Sequence, residues 1–145
     1  MRTYNNFVLT NKGILKHSLE RCFGGQFELL LLRCPSLVRL SLNNNKLANR
    51  LQDIATALES NTTLRYLSLR HNRIQDTSPL GAALVVNRTL RDLHLGQNNI
   101  TECPSLIQAV RANRDLRLYL MGNPIGVFIL GRNKIWLRGA GIPEM

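Results

Sequence analysis

Apolar residues recur along this chain in one phrase, Leu-x-x-Leu-x-Leu followed by x-x-Asn-x and a further aliphatic residue. Three copies are intact: Leu37, Leu40, Leu42, Asn45 and Leu47; Leu64, Leu67, Leu69, Asn72 and Ile74; Leu90, Leu93, Leu95, Asn98 and Ile100. A fourth keeps Leu118, Leu120, Asn123 and Ile125 but has Leu116 where the spacing asks for a leucine at 115, a one-residue deletion. The period-two alternation at Leu67 and Leu69 predicts a strand that sends those side chains inward and Tyr66, Ser68 and Arg70 outward. Between strands the spacing becomes helical, as in Leu51, Ile54, Ala55 and Leu58, and again in Leu106, Ala109 and Val110. Each unit therefore reads as strand, turn and helix. The asparagines stand 27, 26 and 25 residues apart, which leaves room for all three.

Stacked in register, the strands form a parallel sheet, and Asn45, Asn72, Asn98 and Asn123 align where the chain leaves each strand. A buried amide there can satisfy turn backbone groups that have no strand partner. Asn61, Asn87 and Asn113 form a second column just past the helices, where asparagine can take the left-handed conformation that ends a helix.

Asn-x-x-Leu leading into Leu-x-Leu-x-x-Asn, with a helix in every unit, resembles the ribonuclease-inhibitor-like subclass of leucine-rich repeats over residues 24–125. That resemblance implies an α/β solenoid, a short horseshoe with a concave parallel sheet and convex helices, used mainly to bind other proteins. One member of the subclass activates a small GTPase, so a GTPase regulator is an alternative by fold analogy alone.

Residues 1–23 are expected to form a degenerate N-terminal capping repeat. Phe7, Leu9 and Ile14 echo the strand phrase with Lys12 in place of asparagine, a short helix is expected over 15–22, and the first repeat helix is expected to start near Gly24 or Gly25. Residues 126–145 are expected to be a C-terminal cap or tail. Phe128, Leu130, Asn133 and Ile135 repeat the phrase too close to Asn123 for a helix to intervene, as a truncated repeat or as apolar cover for the open end. With three intact repeats the chain suits either a fragment of a longer horseshoe or a stack needing a partner at its ends, and its oligomeric state is open.

Composition refines this picture without redirecting it. At 145 residues the chain has the length of one domain, its apolar content is 44%, and no apolar run approaches the ~18 residues of a membrane helix. The first residues lack the apolar stretch of a secretory signal, so a cytoplasmic or nuclear address is expected. Cys22, Cys34 and Cys103 have neither disulfide nor zinc spacing. Asn61, Asn87 and Asn99 each open a glycosylation sequon, but the first two already have places in a structural column. The net charge of +10 attracts acidic partners.

The candidate binding surface follows from the outward columns: Arg39, Tyr66, Asp92 and Arg117; Ser41, Ser68, His94 and Tyr119; then Asn43, Arg70 and Met121. Aromatic and guanidinium groups are the side chains that anchor protein partners, so a protein with an acidic surface is the expected ligand. RNA or another polyanion is the alternative, since Arg39, Arg70 and Arg117 share the face with Tyr66 and Tyr119.

Catalysis is not expected. Ser68, His94 and Asp92 supply the residue types of a hydrolytic triad, but a parallel ladder commits the N–H groups an oxyanion hole would need. Gly126-x-x-x-x-Gly131-Arg132-Asn133 lacks the Lys and Ser/Thr of a phosphate loop, and His17 and His71 have no companions at metal-ligand spacing. No cofactor or metal is expected.

Overall fold

The computed structural model describes residues 6–8, 31, 34–125 and 135–136. Among the described residues six short strands lie in one sheet: β1 (Asn6–Val8), β2 (Arg39–Ser41), β3 (Tyr66–Ser68), β4 (Asp92–His94), β5 (Arg117–Tyr119) and β6 (Ile135–Trp136). Their spatial order is their chain order and every neighbouring pair is parallel. Between β2 and β5 the crossovers are helical: α1 (Leu51–Ser60), entered through a 3-10 turn at Leu47–Arg50, then α2 (Ser78–Val86) and α3 (Pro104–Ala112). The result is an α/β leucine-rich-repeat solenoid, sheet on one side and helices on the other.

Burial follows the repeat phrase. Leu37, Leu42, Leu64, Leu69, Leu90, Leu95 and Leu118 are all buried, and the helices close the core with Ile54, Ala55, Leu58, Leu80, Leu84, Leu106 and Val110. Pro at the start of α2 and α3 presets the helical φ where an N–H has no intrahelical acceptor. Asp76 adds to the start of α2 by accepting the Ser78 N–H at 2.8 Å, and hydrogen bonding from the Ser78 side chain, then from its backbone, holds the Asp76 carboxyl below the usual carboxylate range.

The helix ends correct the expectation drawn from the sequence. Asn61, Asn87 and Asn113 have φ of −78°, −70° and −126°, extended rather than left-handed. The chain must run straight into the next strand, and the asparagine side chain makes the turn instead. Asn61 Oδ1 accepts the Thr63 and Leu64 N–H groups at 3.1 and 2.8 Å, and Asn87 Oδ1 those of Thr89 and Leu90 at 3.0 and 2.9 Å. Asn87 Nδ2 then reaches back to donate to Leu58 O at 2.7 Å and Asn61 O at 3.0 Å, satisfying carbonyls at the end of α1.

The one-residue deletion in the fourth unit falls at the strand entry. Arg65 and Tyr66 both donate N–H to Val38 O, and Arg91 and Asp92 both to Arg65 O, whereas Arg117 alone donates to Arg91 O. A single doubled contact is lost and the register survives, with Asp92 beside Arg117 and His94 beside Tyr119.

At the sheet edges, Phe7 stands opposite Leu40, and Ile135 stands opposite Leu118. The expected helix over 15–22, the cap formed by Val127 to Leu130 and the rest of the terminal segments lie outside the described residues.

Helix-to-helix spacing is set by Gly81. A Cβ built there would fall 2.2 Å from Ser105 Cβ and 2.6 Å from the Ser105 carbonyl carbon. Backbone cannot yield as a flexible side-chain tip can, so Gly81→Ala should push α2 and α3 apart and destabilise by about 1–3 kcal/mol despite alanine's better helix propensity. Thermal unfolding measures this; a melt as high as the parent's would mean that the two helices are not in close contact.

Candidate functional site on the concave sheet

The strand registers bring the outward columns together as the sequence implied: Arg39, Tyr66, Asp92 and Arg117 are successive partners, and so are Ser41, Ser68, His94 and Tyr119. What the columns do not reveal is how these side chains meet. The Arg39 guanidinium lies over the Tyr66 ring, 4.1 Å from its centroid. Tyr66 leans on His94 with centroids 4.8 Å apart and planes at 42°, and His94 stacks on Tyr119 at 4.0 Å and 7°. A continuous array thus crosses β2, β3, β4 and β5, changing column between Tyr66 and His94 because long side chains on adjacent strands reach their diagonal neighbours.

Asp92 supplies the carboxylate of this array. Arg117 Nη2 donates to Asp92 Oδ2 at 2.7 Å and the Tyr119 hydroxyl to Oδ1 at 3.2 Å. Burial, then the Asp92 charge and its hydrogen bond, push the Tyr119 phenol above its usual pKa, so it stays a protonated donor. His94 moves the other way. Burial lowers it below 6.5, Asp92 opposes this, and Arg70, Arg39 and Arg117 add to the lowering, which leaves a neutral imidazole at pH 7.

Ser68 departs from its expected role as a contact residue. It is only 1% exposed, and its hydroxyl donates to Asn43 Oδ1 at 2.7 Å, an oxygen that also accepts the Arg70 N–H at 2.9 Å. A small side chain beneath larger neighbours is covered, so Ser68 and Asn43 brace the strand end. The triad residue types are likewise engaged elsewhere: the serine with Asn43, the aspartate with Arg117 and Tyr119. Arg70 is exposed and donates to Gln97 Oε1 at 3.2 Å, Met121 is exposed, and Ser41 is half-buried.

Behind this surface runs the first asparagine column. Asn72 Oδ1 accepts the N–H groups of Asn45 at 2.9 Å and Leu47 at 3.3 Å, while Nδ2 donates to Leu42 O and Arg70 O at 2.9 and 3.1 Å. Asn98 repeats this on Asn72 N and Ile74 N at 2.8 and 3.1 Å and donates to Leu69 O, Leu95 O and Gly96 O. Asn123 accepts the Ile100 N–H and donates to Leu95 O and Leu120 O. Asn45 Nδ2 donates to Asn43 O at 2.8 Å. Asn72, Asn98 and Asn123 thus each tie their own turn to the turn before it.

A further set of arginines works at the strand-entry rim. Arg65 donates to Thr89 O, Arg88 to Ala112 O, and Arg91 pairs with Asp115, each joining one repeat to the next. Their sequence signal is the arginine recurring beside the second asparagine column. Among the described residues no group of three or more His, Cys, Asp and Glu is placed to hold a metal, and no helix is long and apolar enough to cross a membrane.

A family model described as Leucine Rich repeat matches residues 60–78 and 86–102. A search of curated proteins gives no match. Among solved structures the chain is similar to internalin C2 from Listeria monocytogenes, at 18% identity and a TM-score of 0.50 over 79% of this chain, and it spans 56% of the length of that chain. The repeat phrase, the parallel sheet with a helix in each described crossover and these two likenesses agree on the fold, an α/β leucine-rich-repeat solenoid.

Proposed function

We propose that this chain is an interaction module that receives a protein partner with an acidic surface on its concave sheet. The observation that carries the reading is the array of Arg39, Tyr66, His94 and Tyr119 across four adjacent strands. Its groups are held by one another and by short strands, so little side-chain freedom is lost on contact, and aromatic and guanidinium groups give the largest returns at interfaces. A full helix in each described crossover supports placing it with ribonuclease-inhibitor-like repeats. The free thiols of Cys34 and Cys103 suit a reducing compartment such as the cytoplasm.

The reading is tested by capturing partners from the source cell on the immobilised chain, with and without nuclease. Tyr66→Ala and Arg70→Ala should each weaken capture by about 1–3 kcal/mol, while Arg111→Ala and Arg114→Ala, exposed near the end of α3, should not. Arg70→Ala should leave stability within ~0.5 kcal/mol. Tyr66→Ala gives up its ring contacts and should cost about 1 kcal/mol of stability. Equal weakening by all four substitutions, or capture that vanishes with nuclease, would replace this reading with the polyanion one.

A further inference from the structure

We propose that the β2–β3 half of the concave sheet is a subsite for an extended acidic peptide segment whose carboxylates engage Arg39 and Arg70. This rests on the concave-face reading and specifies where on that face, and with what chemistry, the partner is held.

The two halves of the face differ in charge. On the β4–β5 side Arg117 is paired with Asp92 at 2.7 Å. On the β2–β3 side neither Arg39 nor Arg70 forms an ion pair among the described residues. The Arg39 guanidinium carbon stands over the Tyr66 ring, 4.1 Å from its centroid, a cation–π contact that uses up no N–H donor. Arg70 runs across Gly96, where an added Cβ would stand 3.5 Å from its Nε, and its one donor contact is to neutral Gln97. Two positive forks with N–H groups to spare suit carboxylates, which accept from such forks in charge-assisted pairs. The same carboxylates gain less over β4–β5, where the positive partner is taken and Asp92 repels them.

The ring geometry favours a peptide over single-stranded nucleic acid. Bases bind by stacking on open ring faces. Here Tyr66 is covered by Arg39 on one side and met by His94 on the other, and His94 lies between Tyr66 and Tyr119. Two of the three rings are thus already engaged where a base would stack.

His94 serves as a built-in reporter. The charged groups acting on it are Asp92, Arg70, Arg39 and Arg117, and its ring neighbours are Tyr66 and Tyr119. Carboxylates bound at Arg39 and Arg70 would offset two of the charges that hold its pKa below 6.5, so the complex binds protons more readily than the free chain. Affinity should therefore rise as the pH falls through this range.

The test titrates end-capped hexaglutamate into the full chain and follows the His94 imidazole signals by NMR, assigned by their loss in His94→Gln. Parent and Arg111→Gln/Arg114→Gln should show saturating His94 shifts, tighter below pH 6.5 than at pH 7.5. Arg39→Gln/Arg70→Gln should bind about tenfold more weakly or worse. Equal weakening in both double variants would overturn the subsite, as would tighter binding of a uridine hexanucleotide to the same groups. Hexaglutamate that leaves His94 unmoved overturns it as well, even where Tyr66→Ala still weakens partner capture and so upholds the concave-face reading.

Discussion

Leu69→Ala should destabilise the chain by about 2–5 kcal/mol and, in so short a stack, should broaden or abolish the cooperative melt. Leu69 is fully buried, and its backbone is fixed on both sides: its N–H donates to His94 O at 2.8 Å and its carbonyl accepts Asn98 Nδ2 at 3.0 Å. The strand end therefore cannot collapse into the space left by the isobutyl group, and the cavity persists at the high end of its cost. Because each repeat is stabilised by its neighbours, damage at the central one is felt on both sides. Urea denaturation with circular dichroism checks this, and an unchanged midpoint would move Leu69 out of the core.

Asn72→Ala should be nearly as costly, about 2–4 kcal/mol. Its amide serves two N–H groups and two carbonyls, and truncation leaves buried backbone groups without partners. The diagnostic measurement is hydrogen exchange at the Asn45 and Leu47 amides, both of which donate to Asn72 Oδ1. They should lose protection before the rest of the molecule unfolds. Slow exchange at both sites in the variant would show that another acceptor takes the place of Asn72, and the ladder would then be dispensable.

Several turns depend on tertiary contacts in a way residue types did not signal. His71, Arg73 and Gln97 have φ of 56°, 61° and 55°, a region where side chains other than glycine and asparagine are uncommon. They are held there by the ladder and by the next repeat: the His71 N–H donates to Gly96 O and the Gln97 N–H to Met121 O. Asn44, with φ of 61°, and Gly122, with φ of 74°, stand at the equivalent places in the first and last of these units and carry the residue types that sequence reasoning would assign to such a turn.

The sequence by itself determined the repeat unit, the inward leucines, the alignment of Arg39 with Tyr66, Asp92 and Arg117, and the place of Asn72 and Asn98 behind the strands. It could do so because a solenoid stacks equivalent positions side by side, so one local pattern specifies both burial and neighbours. Tertiary structure decided the rest. The extended Asn61 and Asn87, the covering of Ser68, the diagonal step from Tyr66 to His94 and the pairing of Ile135 with Leu118 all turn on side-chain direction and on the path between repeats. Those depend on partners in neighbouring repeats, which no local period encodes. The charge difference across the concave face has the same origin: Arg39 and Arg117 occupy one column, but Asp92 sits beside Arg117 and Tyr66 beside Arg39, so the first guanidinium rests on a ring and the second is neutralised.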